Sequence, residues 1–274
     1  MAQPARKTYH GESDEPDLEL VDDDGVVLLQ RWVERPDGHL ELLEIPLTPE
    51  DFLDPQLEDT MVQGRPHSRT RRYFAEILER HFRADEDVMI LEDVKHLLGP
   101  GFPGPAPDVS VIRGALDPDD DLQSFDVVRQ GVVPCLVIEV VSPFDARIRR
   151  TDEVDKVSLY QRIGIPEYLL VDLPCRGTGR RFRVRGYRLG PDKRYQAIEP
   201  DDQGYLLSET TQLRFGVPPE GDRVDIFDVR TGERLRSPIE IEQEGAREVA
   251  ARKAAEEEIQ RLRAEIERLK KSGS

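Results

Sequence analysis

The chain has 274 residues, 35% of them charged, with a net charge of −17 and a mean hydropathy of −0.58. That length holds one domain of substantial core with polar appendages. No run approaches the ~20 apolar residues needed to cross a bilayer, and residues 1–7 lack the apolar stretch of a secretory signal, so a cytoplasmic location away from membranes is expected. Cys135 and Cys175 are too few and too far apart for a zinc module or a disulfide framework, and Cys135 reads as a reduced core thiol.

Residues 1–60 carry 17 acids against 4 bases, which leaves 39 acids and 35 bases for the remainder. The acidity is therefore mostly an N-terminal property and does not exclude a nucleic-acid partner for the rest of the chain. Residues 1–24 have almost no apolar periodicity and read as a disordered acidic tail. Two β-rich runs, 26–33 and 39–45, flank an Asp37-Gly38 turn and predict a hairpin. Thr48-Pro49-Glu50-Asp51 has the N-cap, first-turn proline and third-position acid of a helix start. From residue 66 to 82, Phe74, Ile77, Leu78 and Phe82 recur at helical spacing, with arginines mostly off that stripe.

A Gly- and Pro-rich loop, 99–107, leads to a short strand at 108–112. A second strand follows at 134–141, then a helix at 151–163 closed by Gly164, then a strand at 167–172. Strand, helix and strand at this spacing predict a crossover between two parallel strands. Runs at 181–189, 194–198 and 204–208 read as antiparallel additions at the sheet edge. Residues 239–274 are helix formers with Ile259, Leu262, Ile266 and Leu269 at steps of three and four. That is a two-heptad seam, read either as a pairing helix that makes a homodimer or as a solvated charged helix. The resulting layout is an acidic tail at 1–24, one folded unit at 25–238 and a charged helix at 239–274.

The chemistry concentrates in three places. Glu139 stands in the apolar strand Leu136-Val137-Ile138-Glu139-Val140-Val141, where an unpaired charge would cost several kcal/mol, so something must compensate it. Asp108 opens the preceding strand, and Asp152, Lys156 and Tyr160 share one helix face at i, i+4, i+8. Two acids on neighbouring strands with a lysine beside them make an oxygen cage for a divalent ion. By spacing alone, Asp152 and Lys156 also read as a surface pair, Asp108 as a turn residue, and His67 as a solvent-facing histidine at a helix start.

These segments, in this order and together with Pro66-His67-Ser68, resemble the Uma-two-type restriction endonuclease family of the PD-(D/E)XK nuclease superfamily from about residue 47 to about 215. The resemblance implies an α/β fold with a mixed central sheet flanked by helices, here extended by the N-terminal hairpin and the C-terminal long helix. It implies a metal-dependent endonuclease acting on DNA, with Mg²⁺ or Mn²⁺ held by Asp108, Glu139 and the backbone carbonyl of Val140. The superfamily's lysine two residues after the glutamate is Val141 here, and Lys156 is the matching position on the following helix. Asp152 and Tyr160 would position Lys156, and His67 would support the acids. Arg65, Arg69, Arg72, Arg147, Arg149 and Arg150 would grip the phosphate backbone. The alternatives are a catalytically idle interaction module on the same fold and a hydrolase of another phosphoester.

Overall fold

The computed structural model describes residues 28–56, 59–61, 65–115, 123–142, 150–174, 181–221 and 223–272. The expected acidic tail, Arg147, Arg149 and Cys175 lie outside the described residues. The hairpin forms from β1 (Leu28–Glu34) and β2 (Leu40–Pro46), antiparallel with Glu34 opposite Leu40. Gly38 takes a φ of 83° in its turn, which only glycine adopts without strain. Next, α1 (Pro49–Leu53) begins with a reciprocal cap: the Asp51 N–H donates to the Thr48 hydroxyl and the Thr48 N–H to the Asp51 carboxylate. A third strand, β3 (Asp59–Met61), joins the free edge of β1 and is too short to show a sequence period.

On α2 (Arg65–Phe82) the apolar stripe turns inward. The chain then continues through β4 (Val88–Glu92), β5 (Lys95–Leu97), β6 (Val109–Arg113), β7 (Ser124–Asp126), α3 (Val127–Gln130) and β8 (Leu136–Val141). The predicted crossover helix, α4, is a π turn at Thr151–Asp155 that passes into an α-helix at Lys156–Ile163 and ends at Gly164 with φ 90°. After it come β9 (Glu167–Asp172), β10 (Arg183–Leu189) and β11 (Tyr195–Ala197).

These strands build a six-stranded mixed sheet in the order β11-β10-β9-β8-β6-β4, parallel only between β8 and β9. Every residue of β8 and of β9 is buried, because both faces of the sheet are covered. On one face Val109, Val111, Leu136, Ile138, Leu169 and Val171 pack with Phe74, Ile77 and Leu78 of α2. On the other, Val137, Val141, Tyr168 and Leu170 pack with Leu159 and Tyr160 of α4. The Glu139 side chain shares this second face by strand alternation.

One expected element moves. Residues 204–208 do not extend the main sheet. Instead, β12 (Leu206–Ser208) pairs with β13 (Leu213–Gly216) and β14 (Asp225–Asp228) in a separate antiparallel sheet. A tight turn makes the difference, with the Asp201 N–H bonded to the Tyr205 carbonyl and the Gly204 N–H to the Asp201 carbonyl. It drops Leu206 into the cluster beneath α2, and the buried-exposed-buried alternation of β12 would look the same in either sheet. The last helix, α5 (Pro238–Ser272), leaves the body as a single rod. No helix among the described residues is long and apolar enough to cross a membrane.

Candidate active site

Val109 of β6 pairs with Ile138 of β8, so the next residues outward on the two strands, Asp108 and Glu139, become cross-strand neighbours. Each carboxylate meets the other strand's backbone. The Val140 N–H donates to Asp108 Oδ2 at 2.7 Å, and the Asp108 N–H approaches Glu139 Oε2 at 3.4 Å. The compensation that Glu139 requires comes from α4. Lys156 Nζ donates to Glu139 Oε1 at 2.8 Å and stands 3.0 Å from Asp152 Oδ1, an ion-pair distance without hydrogen-bond geometry. The Tyr160 hydroxyl donates to the same Oε1 at 3.1 Å.

The π turn contributes to this arrangement. The Lys156 N–H reaches back five residues to the Thr151 carbonyl, which carries Thr151, Asp152 and Lys156 inward together. The Tyr168 hydroxyl fixes the turn from β9 by donating to the Asp152 carbonyl at 3.0 Å, and its ring meets Tyr160 edge-on at 5.0 Å. Two expectations are corrected here. Asp152 and Lys156 are not a surface pair, since each is 2% exposed, the helix face that carries them being the one packed on the sheet. His67 does not face solvent either: it is buried, with Nε2 3.2 Å from Asp108 Oδ2, because the first turn of α2 ends over the start of β6.

Five charged side chains sharing one buried volume shift each other. Burial raises the pKa of Glu139, the Lys156 ammonium pulls it down, and Asp152 and Asp108 push it up again, to about 8. Burial likewise raises Asp152. For Lys156 burial works against the charge, but Asp152 and Glu139 outweigh it and hold the ammonium's pKa above the usual lysine range. Burial would raise Asp108, yet His67 and the Val140 N–H leave it below the usual carboxylate range. In return, Asp108 outweighs the burial of His67 and raises the imidazole. Glu139 and Asp152 thus share one ammonium, with Asp108 beside them, and their titrations are coupled.

Several site neighbours carry no sequence signal strong enough to single them out. Arg71 lies one helical turn after His67 and points the same way, holding Glu92 at 3.0 Å and Asp93 at 2.7 Å, with Asp108 Oδ1 at 3.9 Å. Spacing from His67 would have separated it from Arg65, Arg69 and Arg72, which are exposed on the opposite stripe of α2, as Arg150 is exposed before α4. Asp93 reaches this position through a left-handed φ of 56°. Phe52 of α1 covers Lys156, its ring centroid 4.4 Å from Nζ.

The donor chemistry suits a hard divalent cation. His67 and the Val140 N–H occupy Asp108 Oδ2, and Lys156 and Tyr160 occupy Glu139 Oε1. Among the described residues the second oxygen of each carboxylate has the longer contacts, to Arg71 at 3.9 Å and to the Asp108 N–H at 3.4 Å. Burial first, then the neighbouring Asp152 and Asp108, lift Glu139, and an added cation would favour its charged form. Among the described residues no group of three or more His, Cys, Asp and Glu side chains is arranged to hold a metal ion.

The sequence pattern of the family described as "Uma2: Putative restriction endonuclease" matches residues 50–220, more than half of the chain. The chain belongs to the Uma2 family. The matched region of this Uma2 chain contains Asp108, Glu139 and all of α4. Among solved structures it is similar to one titled as a putative nuclease belonging to DUF820 from Anabaena variabilis ATCC 29413. The two are 15% identical, the match covers 73% of this chain and 76% of that one, and the TM-score is 0.33. No curated protein matches.

Proposed function

We propose that the protein is a divalent-metal-dependent endonuclease that hydrolyses phosphodiester bonds of DNA at the Asp108–Glu139 centre. The observation that carries this reading is the convergence of two cross-strand carboxylates and one buried ammonium on a single point, within a chain of a family described as restriction endonucleases. Asp108, Glu139 and the backbone carbonyl of Val140 would hold Mg²⁺ or Mn²⁺. Bound there, the ion supplies Lewis acidity toward a phosphate oxygen and a more acidic water.

The chain's own residues do the rest. His67 and the Val140 N–H engage one oxygen of Asp108 and leave the other for the ion. Lys156 acts as a charged donor and not as a base, because Asp152 and Glu139 keep it protonated. From its position it can orient the attacking water and stabilise the charge that builds on the phosphoryl oxygens. Asp152 and Tyr160 aim that ammonium. Arg65, Arg69, Arg72 and Arg150, with Arg147 and Arg149, would grip the backbone without reading sequence.

A second reading, the idle interaction module, has one observation on its side. Lys156, Glu139 and Asp152 are each only 2% exposed, and Phe52 lies over the ammonium. Under the nuclease reading α1 therefore moves aside when a phosphate enters. Incubation of supercoiled plasmid with Mn²⁺ distinguishes the two. The nuclease reading predicts nicking by the wild type that chelator stops and Glu139→Gln lacks. No cleavage by the wild type on plasmid or on single strands would favour the idle module, and cleavage of small phosphodiesters alone would favour another phosphoester.

A further inference from the structure

The helix α5 runs for 35 residues, about 50 Å at 1.5 Å per residue. Its root is fixed to the body: the Ser237 N–H donates to the Glu240 carboxylate, the Glu240 N–H to the Ser237 hydroxyl, and Arg234 holds Glu240 at 2.9 Å. Beyond that root, residues 242–263 are all exposed, and Ile259, Leu262 and Ile266 remain 49%, 49% and 51% exposed. An isolated helix in water is marginal, and a long one usually takes its stability from a packed face. Among the described residues nothing on its own body packs against 242–263.

Its sequence specifies the missing surface. With Ile259 and Ile266 at heptad position a, Leu262 and Leu269 fall at d, and Ala255 continues the seam one step upstream. A β-branched residue at a with leucine at d favours two parallel strands. The flanks decide the partner. Glu258 and Glu265 occupy g, and Arg263 and Lys270 occupy e. In a parallel pair each g residue meets the e residue five positions on in the other chain, which sets Glu258 against Arg263 and Glu265 against Lys270, twice each by symmetry. An antiparallel pair sets g against g and e against e, so glutamate would face glutamate and base would face base. Glu258 also reaches Arg261 of its own chain at 3.2 Å, a contact on the outer side that the pairing does not need to break.

We infer that α5 binds the α5 of a second copy of this chain as a short parallel coiled coil, placing the two folded units at the same end of the rod. Two heptads make a weak pair, so the dimer forms with rising concentration.

Sedimentation and light scattering of the full chain test this without any cleavage measurement, so the outcome does not depend on the nuclease reading. The wild-type mass should move toward twice 31.3 kDa as concentration rises. Glu258→Lys with Glu265→Lys should stay monomeric, and adding Arg263→Glu with Lys270→Glu to that variant should restore the dimer. Ile259→Asp with Ile266→Asp should also be monomeric, and because these side chains lie outside the core, circular dichroism should show an unchanged folded unit. A wild type that stays monomeric at every soluble concentration overturns the proposal. So does a dimer that survives the two aspartates, which would place the interface elsewhere. A dimer indifferent to the double lysine exchange, or one that the fourfold exchange fails to restore, overturns the parallel pairing.

Discussion

Replacing Lys156 by Met removes the ammonium while keeping most of the stem, and so isolates the charge. In the wild type that ammonium stands 2.8 Å from Glu139 and 3.0 Å from Asp152, all three groups being 2% exposed. Deleting one partner of a buried pair costs about 3–5 kcal/mol when the other stays charged. Here the survivors can escape by taking up protons, and the pH dependence follows with a definite sign. A carboxyl whose folded pKa is raised keeps its proton where the unfolded chain has lost it, so its contribution to stability falls as pH rises. For Glu139 in the wild type that window runs from 4.5 to about 8, and in Lys156→Met it extends further upward. The deficit of the variant should therefore be larger near pH ~9 than near pH ~6 by about 1 kcal/mol, the worth of one proton over the single pH unit above the wild-type Glu139 value, read by urea unfolding followed by circular dichroism. A deficit equal at both pH values would show that the carboxyls do not take up protons, and one below about 1 kcal/mol at both would show that Lys156 contributes no more than an exposed lysine.

Cleavage by Lys156→Ala should fall by roughly 10² or more with metal binding retained. Lys156→Arg should fail as well, because a planar guanidinium does not fit beneath Phe52 between two carboxylates; both are read on supercoiled plasmid. His67→Leu frees the second Asp108 oxygen from its fixed orientation and should weaken Mn²⁺ binding about 10-fold or more in calorimetry, with unchanged affinity refuting a positioning role. Plasmid cleavage should fall steeply with salt, and replacing Arg65, Arg69 and Arg72 together by Gln should flatten that dependence; an unchanged salt slope would remove these arginines from the DNA surface.

Much of this centre was legible because buried charge is conspicuous in an apolar strand. Glu139 in its run of Val, Ile and Leu, and the i, i+4, i+8 face of Asp152, Lys156 and Tyr160, both led to the observed contacts. The depth of that face was not legible, since spacing puts residues on a side of a helix without saying what covers it. Arg71 was hidden among similar arginines, and Phe52 belongs to an element that is remote in sequence from what it covers. The fold followed the same division. The hairpin, α1, α2 and the parallel β8–α4–β9 unit carry caps, turns or periods long enough to read. By contrast β3, β5 and β7 are three residues each, and only their partners make them strands.

Calorimetric titration of Mg²⁺ and Mn²⁺ into wild type and Glu139→Ala asks whether Asp108 and Glu139 together hold a divalent ion. The wild type should show one site, with proton release near neutral pH because the raised Glu139 must ionise to bind, and the variant should show none. Equal binding by wild type and variant, or none by a folded wild type, would contradict a shared ion site.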